Sequence, residues 1–277
     1  MNAYLADQLR HDDRDRYLLT MFAPARARAS LQALYAFNAE VAKIRESVTE
    51  TMIGRMKLQW WRDVLATIFS GGKPPQGNPV VEALAAIIPA HGLSRDVFDN
   101  LLNARERDLE EEPPRDALDL ERYAEGTAAP LNTLALEILG VNDEITRSAA
   151  RHVGIAWALT GILRAVLYHA RVNRFLLPGD LLSAENLTPY DVRERRNAQK
   201  IARVIETVAA AARAHLEKAR TFRGLDRRAL PVLLAGTMAE QYLQGFAKRA
   251  FDIFDPRHAL QRPSILRLTW RAWRNKF

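Results

Sequence analysis

Apolar residues recur along most of this chain with the spacing of an α-helix. Positions i, i+3, i+4 and i+7 are apolar in several separate stretches, as on a helix face turned toward a core. The clearest of these stretches are 30–44, 56–69, 80–88, 131–139 and 201–219. No stretch alternates apolar and polar residues as a strand would. The pattern therefore predicts an all-α protein of about ten helices.

Short segments rich in Gly, Pro and charged residues separate the apolar stretches. The breaks expected from them are 71–79, 91–94, 110–116, 176–180 and 255–263. None is long enough to link two domains. Several helices are apolar around most of their circumference, which indicates that they line the inside of a bundle. We therefore expect residues 1–277 to form a single large helical domain.

The composition points to anionic partners. Forty Lys and Arg outnumber 33 Asp and Glu, which gives a net charge of +7 and favours phosphates, acidic lipid headgroups or nucleic acid. The chain has no Cys, so disulfides, thiolate nucleophiles and Cys-ligated metal sites are excluded. Nowhere do about 18 uninterrupted apolar residues occur. We expect a cytoplasmic protein that does not span the membrane.

The apolar stretch ALTGILRAVLYHARVNRFLLP, predicted as helix over 158–178, carries cations and no acid. Its cations are Arg164, His169, Arg171 and Arg174. The spacing places Arg164, Tyr168 and Arg171 on one helix face. A cation in an apolar helix needs a partner, because burying it unpaired is costly. The pattern indicates contact with an anion; the alternative is that these arginines lie at the surface.

Five motifs, in their order and spacing, resemble those of the squalene/phytoene synthase family. They are MFAPARARASLQALYAF (21–37), LQWWRDVL (58–65), ERYAEGTAAPL (121–131), LTGILRAVLYHARVNRFLLP (159–178) and AARAHLEKAR (211–220). The resemblance runs from about residue 15 to about residue 250. It implies the all-α isoprenoid-synthase fold and the head-to-head joining of two prenyl diphosphates. In that family each of two facing helices carries an Asp-x-x-x-Asp motif, whose carboxylates hold magnesium.

The resemblance places the four metal-binding positions on Ala42, Glu46, Ala165 and His169, so most of the carboxylates are missing. Shifting the first motif to Glu46 and Glu50 would restore that pair, but no acid lies near the second. Histidine is a poor ligand for magnesium. We therefore expect no catalytic residue, metal or cofactor, with magnesium needed only by an active transferase. The resemblance leaves an anion or lipid pocket whose candidate residues are Arg164, Tyr168, His169, Arg171, Arg174 and Tyr123.

The substitutions themselves resemble one branch of the family. The segments 33–63 and 250–257 and the pair Tyr168–His169 are similar to the non-catalytic branch that contains a mitochondrial complex I assembly factor. This resemblance implies a pseudoenzyme that acts as an assembly or scaffold factor. Its partners would be complex I subunits or assembly intermediates. It would lie peripherally on the inner face of the membrane.

The segment 263–277 is predicted to form a basic amphipathic helix. An apolar stripe at spacings of four, three and four residues has arginines beside it, and no acid follows Asp255. The predicted membrane contacts are Leu266, Arg267, Trp270, Arg271, Trp273, Arg274 and Phe277. Such a helix can lie in an anionic membrane surface. The alternative is a terminal helix packed on the bundle with its arginines in water.

Three functions remain open from the sequence. The first is the non-catalytic assembly factor, and the second is a prenyl transferase with degenerate metal motifs. The third is a basic protein that binds a lipid, an isoprenoid or a nucleic acid. Nucleic acid has the least support, because the chain shows no module that reads it. We expect no nucleic-acid partner.

Overall fold

The structure, a computed structural model, describes residues 3–277, without the side chains of Ala3 and Ala259. Fourteen α-helices and no β-strand occur in that range, which confirms the all-α prediction. The bounds are Ala3–Asp12 (α1), Arg14–Thr20 (α2), Ala25–Ala42 (α3), Thr51–Phe69 (α4), Pro79–His91 (α5), Arg95–Glu106 (α6), Ala117–Ile138 (α7), Glu144–Arg171 (α8), Gly179–Ala184 (α9), Pro189–Arg193 (α10), Ala198–Thr221 (α11), Leu230–Lys248 (α12), Arg257–Leu260 (α13) and Ile265–Trp273 (α14). Single 3-10 turns lie at Arg45–Ser47, Arg107–Leu109 and Arg227–Ala229.

The periodic stretches all fall in helices, with shifts of a few residues at their ends. The helices beyond the expected number are mostly short, such as α9, α10 and α13. Two expected breaks are partly wrong for this reason. α13 lies inside the segment 255–263, and α9 begins at Gly179, inside 176–180. Four to six residues are too few to display a helical period.

Helix α5 begins and ends as its sequence dictates. The Asn78 side chain accepts hydrogen bonds from the backbone N–H groups of Val80 at 2.9 Å and Val81 at 3.2 Å. Pro79 occupies the first turn, where its missing N–H costs nothing. Gly92 ends the helix with a φ of 60°, a left-handed conformation that suits glycine.

Helix α8 ends at Arg171, so the predicted helix to residue 178 is wrong at its carboxyl end. Asn173 adopts a φ of 55°. The backbone N–H of Arg174 then donates to the His169 carbonyl at 2.9 Å, and that of Asn173 donates to the Ala170 carbonyl at 3.3 Å. These two bonds form a Schellman motif, with asparagine in the left-handed position. Arg174 therefore lies in a loop.

The chain divides into two compact units, and the prediction of a single domain stays a prediction. The first unit comprises Met1–Leu109, described from residue 3, with Pro130–Ala150 and Gly224–Leu233. Its core includes Phe37, whose ring lies edge-on to Trp61 at 5.0 Å and to Phe98 at 5.5 Å between centroids. All three side chains are buried.

The second unit comprises Glu110–Ala129, Arg151–Arg223 and Leu234–Phe277. Helix α11 buries an apolar stripe whose members are Ile201, Val204, Ile205, Val208, Ala209, Ala212, Leu216 and Ala219. Helix α8 is long and apolar enough to cross a membrane, with a mean hydropathy of 1.4 over its most apolar 18 residues. Within the fold 61% of those residues are buried.

Candidate functional site

The first pair of metal-binding positions does not lie on one helix. Ala42 is the last residue of α3, and Glu46 lies in the 3-10 turn Arg45–Ser47 with its side chain exposed. Two residues four positions apart share a face only when both lie on the same continuous helix. The shifted pair fails in the same way, because Glu50 adopts an extended conformation just before α4.

The second pair does lie on one helix. Ala165 and His169 are one turn apart on α8, and both are partly exposed. The face that would present two carboxylates therefore presents a methyl group and an imidazole. Magnesium takes hard oxygen ligands. Neither the pair Ala42 and Glu46 nor the pair Ala165 and His169 supplies the two carboxylates that such a motif needs to hold magnesium.

Three of the candidate pocket residues, Arg164, Tyr168 and Arg171, line one open cleft of about 460 Å³ in the second unit. We call it the arginine cleft. The guanidinium carbon of Arg164 lies 3.7 Å from the ring centroid of Tyr242, a buried residue of α12. This cation–π contact fixes the position of a charge at the wall of the cleft.

The other walls of the arginine cleft come from segments that the sequence did not single out as a site. Arg195 follows α10, while His258 and Arg262 belong to the segment after α12. The pKa of His258 is held below its ordinary value, chiefly by burial and then by the charge of Arg249. No periodic signal could have linked these residues to α8, because the folded chain brings them together.

The lining of the cleft includes one carboxylate, that of Asp255. Arg257 donates to it through Nε at 2.9 Å, and this pairing holds the pKa of Asp255 far below its usual range. The carboxylate is thus ionised, and its charge is already compensated. Arg164, Arg171, Arg195 and Arg262 also line the cleft.

The remaining candidate pocket residues lie elsewhere in the second unit. Arg174 donates from Nη2 to the hydroxyl of Tyr123 at 3.3 Å. Arg174 and His169 line a separate small recess, whose other residues are apolar, such as Phe175 and Leu182. Of the six predicted residues, Arg164, Tyr168 and Arg171 thus line the arginine cleft, while His169 and Arg174 line this recess.

The predicted C-terminal helix is present as α14. Its outer face, defined here as Ile265, Leu266, Trp270 and Trp273, is exposed, with Leu266 and Trp273 each at 82%. Leu268 on the opposite side is fully buried. The Arg274 guanidinium carbon lies 5.0 Å from the Trp270 ring centroid. α14 thus packs through one face and leaves an apolar stripe in contact with solvent.

Two of the predicted membrane-contact arginines turn inward. Arg267 donates to Glu240 of α12 at 2.8 Å, and Arg271 lies 3.7 Å from the same carboxylate. Phe277 is not on the helix, because Asn275 adopts a φ of 50° and ends it. The Phe277 ring instead lies against Gly236, where an added Cβ would meet it at 3.2 Å. The stripe read from the sequence is therefore shorter than expected.

Comparison with known proteins places these features in a family context. Residues 9–274 match the family model described as squalene/phytoene synthase. The NADH dehydrogenase (ubiquinone) complex I, assembly factor 6, of Bos taurus is 34% identical over 278 residues, covering 99% of this chain and 82% of that protein. The presqualene diphosphate synthase of Rhodopseudomonas palustris is 28% identical over 180 residues, covering 64% of this chain and 62% of the enzyme.

A solved structure shows the same fold. A dehydrosqualene synthase crystallised in complex with ligand superposes with a TM-score of 0.82, covering 99% of this chain and 94% of that one. The two sequences are 20% identical, so this likeness concerns the fold alone. It confirms the isoprenoid-synthase fold implied by the motifs.

Proposed function

The chain belongs to the squalene/phytoene synthase family, and we propose that it acts there as a non-catalytic assembly factor for the respiratory NADH dehydrogenase, complex I. The main support for the proposal is the loss of carboxylates at the metal-binding positions. Ala42, Glu46, Ala165 and His169 provide one carboxylate where the synthase chemistry uses four. The similarity to the bovine assembly factor, over 99% of the chain, supports the same conclusion.

The missing carboxylates matter because diphosphate departure depends on them. Metal ions held by carboxylates stabilise the negative charge that develops on the leaving diphosphate, and this is a large part of the catalysis. On α8 the corresponding positions are Ala165 and His169, and neither side chain has a carboxylate. A fold that keeps its core without these ligands can still present surfaces to other proteins. In this proposal the partners are subunits or assembly intermediates of complex I.

The place of action in this proposal is the cytoplasmic, inner face of the membrane. The outer face of α14 supports it, because tryptophans and aliphatic side chains there are exposed to solvent. Arg274 and Lys276 are exposed beside that face and carry charges complementary to acidic lipids. Leu268, Arg267 and Arg271 hold α14 on the fold, so it would lie on the membrane surface without crossing it.

A prenyl transferase is the second candidate. The observation in its favour is the similarity to a presqualene diphosphate synthase over 64% of the chain. The same metal-binding positions oppose it. A transferase would also need magnesium, which the donor set on α3, α8 and the turn at Arg45–Ser47 does not fit.

Deletion of the encoding gene in the native cell separates the two candidates. We expect assembled complex I, measured on native gels and by NADH oxidation in membranes, to fall. We expect squalene, carotenoid and hopanoid levels, measured by mass spectrometry, to stay unchanged. A gene that encodes the chain with Ala165→Gly and His169→Asn should restore the assembly of complex I, because in this proposal neither residue binds a metal. Loss of isoprenoids with intact complex I would instead support the transferase.

A further inference from the structure

We infer that the amino-terminal half of α4 is a docking surface for another protein, which contributes an amphipathic helix with acidic flanks. The surface, called here the methionine face, consists of Met52, Ile53, Met56 and Trp60 in the first unit. All four side chains are exposed, Met52 at 62% and Met56 at 65%. The surface goes beyond the assembly role, because either proposal can fail while the other stands.

The methionine face is continuous along about two and a half turns of α4. Met52, Met56 and Trp60 are spaced by four residues, so they lie one above the other on the helix, with Ile53 beside them. The opposite side of α4 packs into the fold, where Leu58 is buried. Single exposed apolar side chains are normal on a protein surface, but a continuous stripe of them indicates an interaction site.

The side chains of the methionine face suit a protein partner. Methionine is flexible and polarisable, so Met52 and Met56 can adapt to the uneven surface of a helix. Tryptophan is among the residues most enriched where binding energy concentrates at protein interfaces. The Trp60 ring lies edge-on to the buried ring of Trp61, at 5.0 Å between centroids, which restricts it before binding. A partner helix packed along α4 would contribute apolar residues at positions i, i+3, i+4 and i+7.

Two cations border the methionine face and favour an acidic partner. Helical spacing places Arg55 on one side of the stripe and Lys57 on the other, and both are exposed. In the part of the chain that the structure describes, no carboxylate pairs with either residue, and Lys57 donates to the Ser47 hydroxyl at 2.9 Å. Carboxylates on the two flanks of a partner helix would complement these charges.

The charges of the same region disfavour two other occupants. Asp63 lies on the same side of α4 beyond Trp60, and Glu50 lies just before the helix; both are exposed. An anionic membrane surface would cover both acids and be repelled by them, whereas a helix can place its own cation opposite Asp63. A second copy of this chain would bring Arg55 and Lys57 against the same cations, and such contacts between like charges are costly.

The test is photocrosslinking of the full-length chain in its native cell, with benzoylphenylalanine in place of Met56. Mass spectrometry of the adduct identifies the attached molecule and, for a protein, the attached segment. We expect a segment of another protein with apolar residues at helical spacing and Asp or Glu on its flanks. The same probe in place of Leu118, an exposed residue of α7, is the matched control and should not give that adduct.

Charge-reversed variants of the same probe-carrying chain test the border cations. Arg55→Glu with Lys57→Glu should lower the adduct yield at least about tenfold, because like charges then face the partner's carboxylates. Arg26→Glu with Lys73→Glu makes the same change in net charge at two exposed residues outside α4, and it should leave the yield unchanged. All four residues are exposed, so both variants should fold, as circular dichroism and melting would verify.

Several outcomes would overturn the docking surface. One is an adduct at position 56 with a lipid, with a second copy of this chain, or with a segment that has no acidic flank. Another is the absence of any adduct at this position beyond the one given at position 118. The last is an equal loss of yield in the two charge-reversed variants, which would assign the effect to net charge alone.

Discussion

His152 on α8 and His215 on α11 are joined through their Nδ1 atoms, which lie 2.8 Å apart. Such a contact needs one protonated and one unprotonated nitrogen, so a proton on each Nδ1 would break it. The pKa of His152 is held below its ordinary value, first by burial and then by the charges of His215, Arg151 and Lys218. Glu125 acts in the opposite direction. The folded protein therefore prefers this histidine neutral.

A pH dependence of stability follows from that preference. An unfolded histidine with the ordinary pKa of 6.5 takes up its proton as the pH falls, while folded His152 resists it. The contribution of His152 to stability is thus fully present above the unfolded pKa and is lost as the pH falls through that value. We expect the free energy of unfolding, from urea titrations, to decrease between about pH 7 and about pH 5.

Replacing His152 tests whether this residue causes the pH dependence of stability. His152→Gln keeps a hydrogen-bonding side chain that does not titrate, and it should flatten the pH dependence in part. Some slope should remain, because burial also lowers the pKa of His258. His11→Gln is the matched control for the substitution itself, since the His11 side chain is 89% exposed. An unchanged slope in His152→Gln would assign the effect to other groups.

At the scale of secondary-structure elements, the sequence predicts helix interiors far better than helix ends. Arg164, Tyr168 and Arg171 follow the helical period of α8, so their common face was predictable, and the structure places all three in one cleft. Asn173 and Asn275 end α8 and α14 in left-handed turns. Asparagine also occurs inside helices, so composition alone could not locate either end. Arg174 and Phe277 were misplaced because they follow these two residues.

The exposed tryptophans of α14 should contribute to membrane binding. Trp270→Ser with Trp273→Ser should weaken binding to vesicles of phosphatidylcholine and phosphatidylglycerol roughly thirtyfold, because about 2 kcal/mol of apolar burial is lost. Both side chains are exposed, so the fold should persist. Trp60→Ser is the matched control, since Trp60 is a 39% exposed tryptophan on α4. Vesicle flotation measures all three proteins.

Varying the lipid charge and the salt concentration tests whether the basic residues beside α14 contribute to vesicle binding. Binding should need the acidic lipid and weaken as salt rises from about 50 to about 500 mM, because Arg274 and Lys276 act through screened charge. Retention of vesicle binding in the double tryptophan variant would contradict the assignment to α14. Truncation after Arg262, which removes α14 altogether, should weaken vesicle binding at least as much as the two serine substitutions.

At the scale of the whole molecule, the family could be recognised from local motifs, while the composition of the cleft could not. The motifs at 58–65 and 159–178 lie on continuous helices for most of their length, and their residues keep the helical spacing. Arg195 and Arg262 lie in loops on either side of α11 and α12. Only the folded chain brings them beside α8, because loop positions have no period that predicts their neighbours.

The whole molecule should lack prenyl transferase activity. Purified protein given farnesyl or geranylgeranyl diphosphate with magnesium should make no head-to-head product, because Ala165 and His169 cannot hold the metal that the leaving diphosphate requires. Ala165→Asp with His169→Asp returns two carboxylates to one face of α8. It should add magnesium-dependent diphosphate binding, measured by titration, that Ala165→Asn with His169→Asn does not add. Synthesis should remain absent even when Ala42→Asp and Glu46→Asp are included, because α3 ends at Ala42 and the first pair shares no helix face. Turnover by the unaltered protein at about 1 per second or faster would instead identify it as a working enzyme.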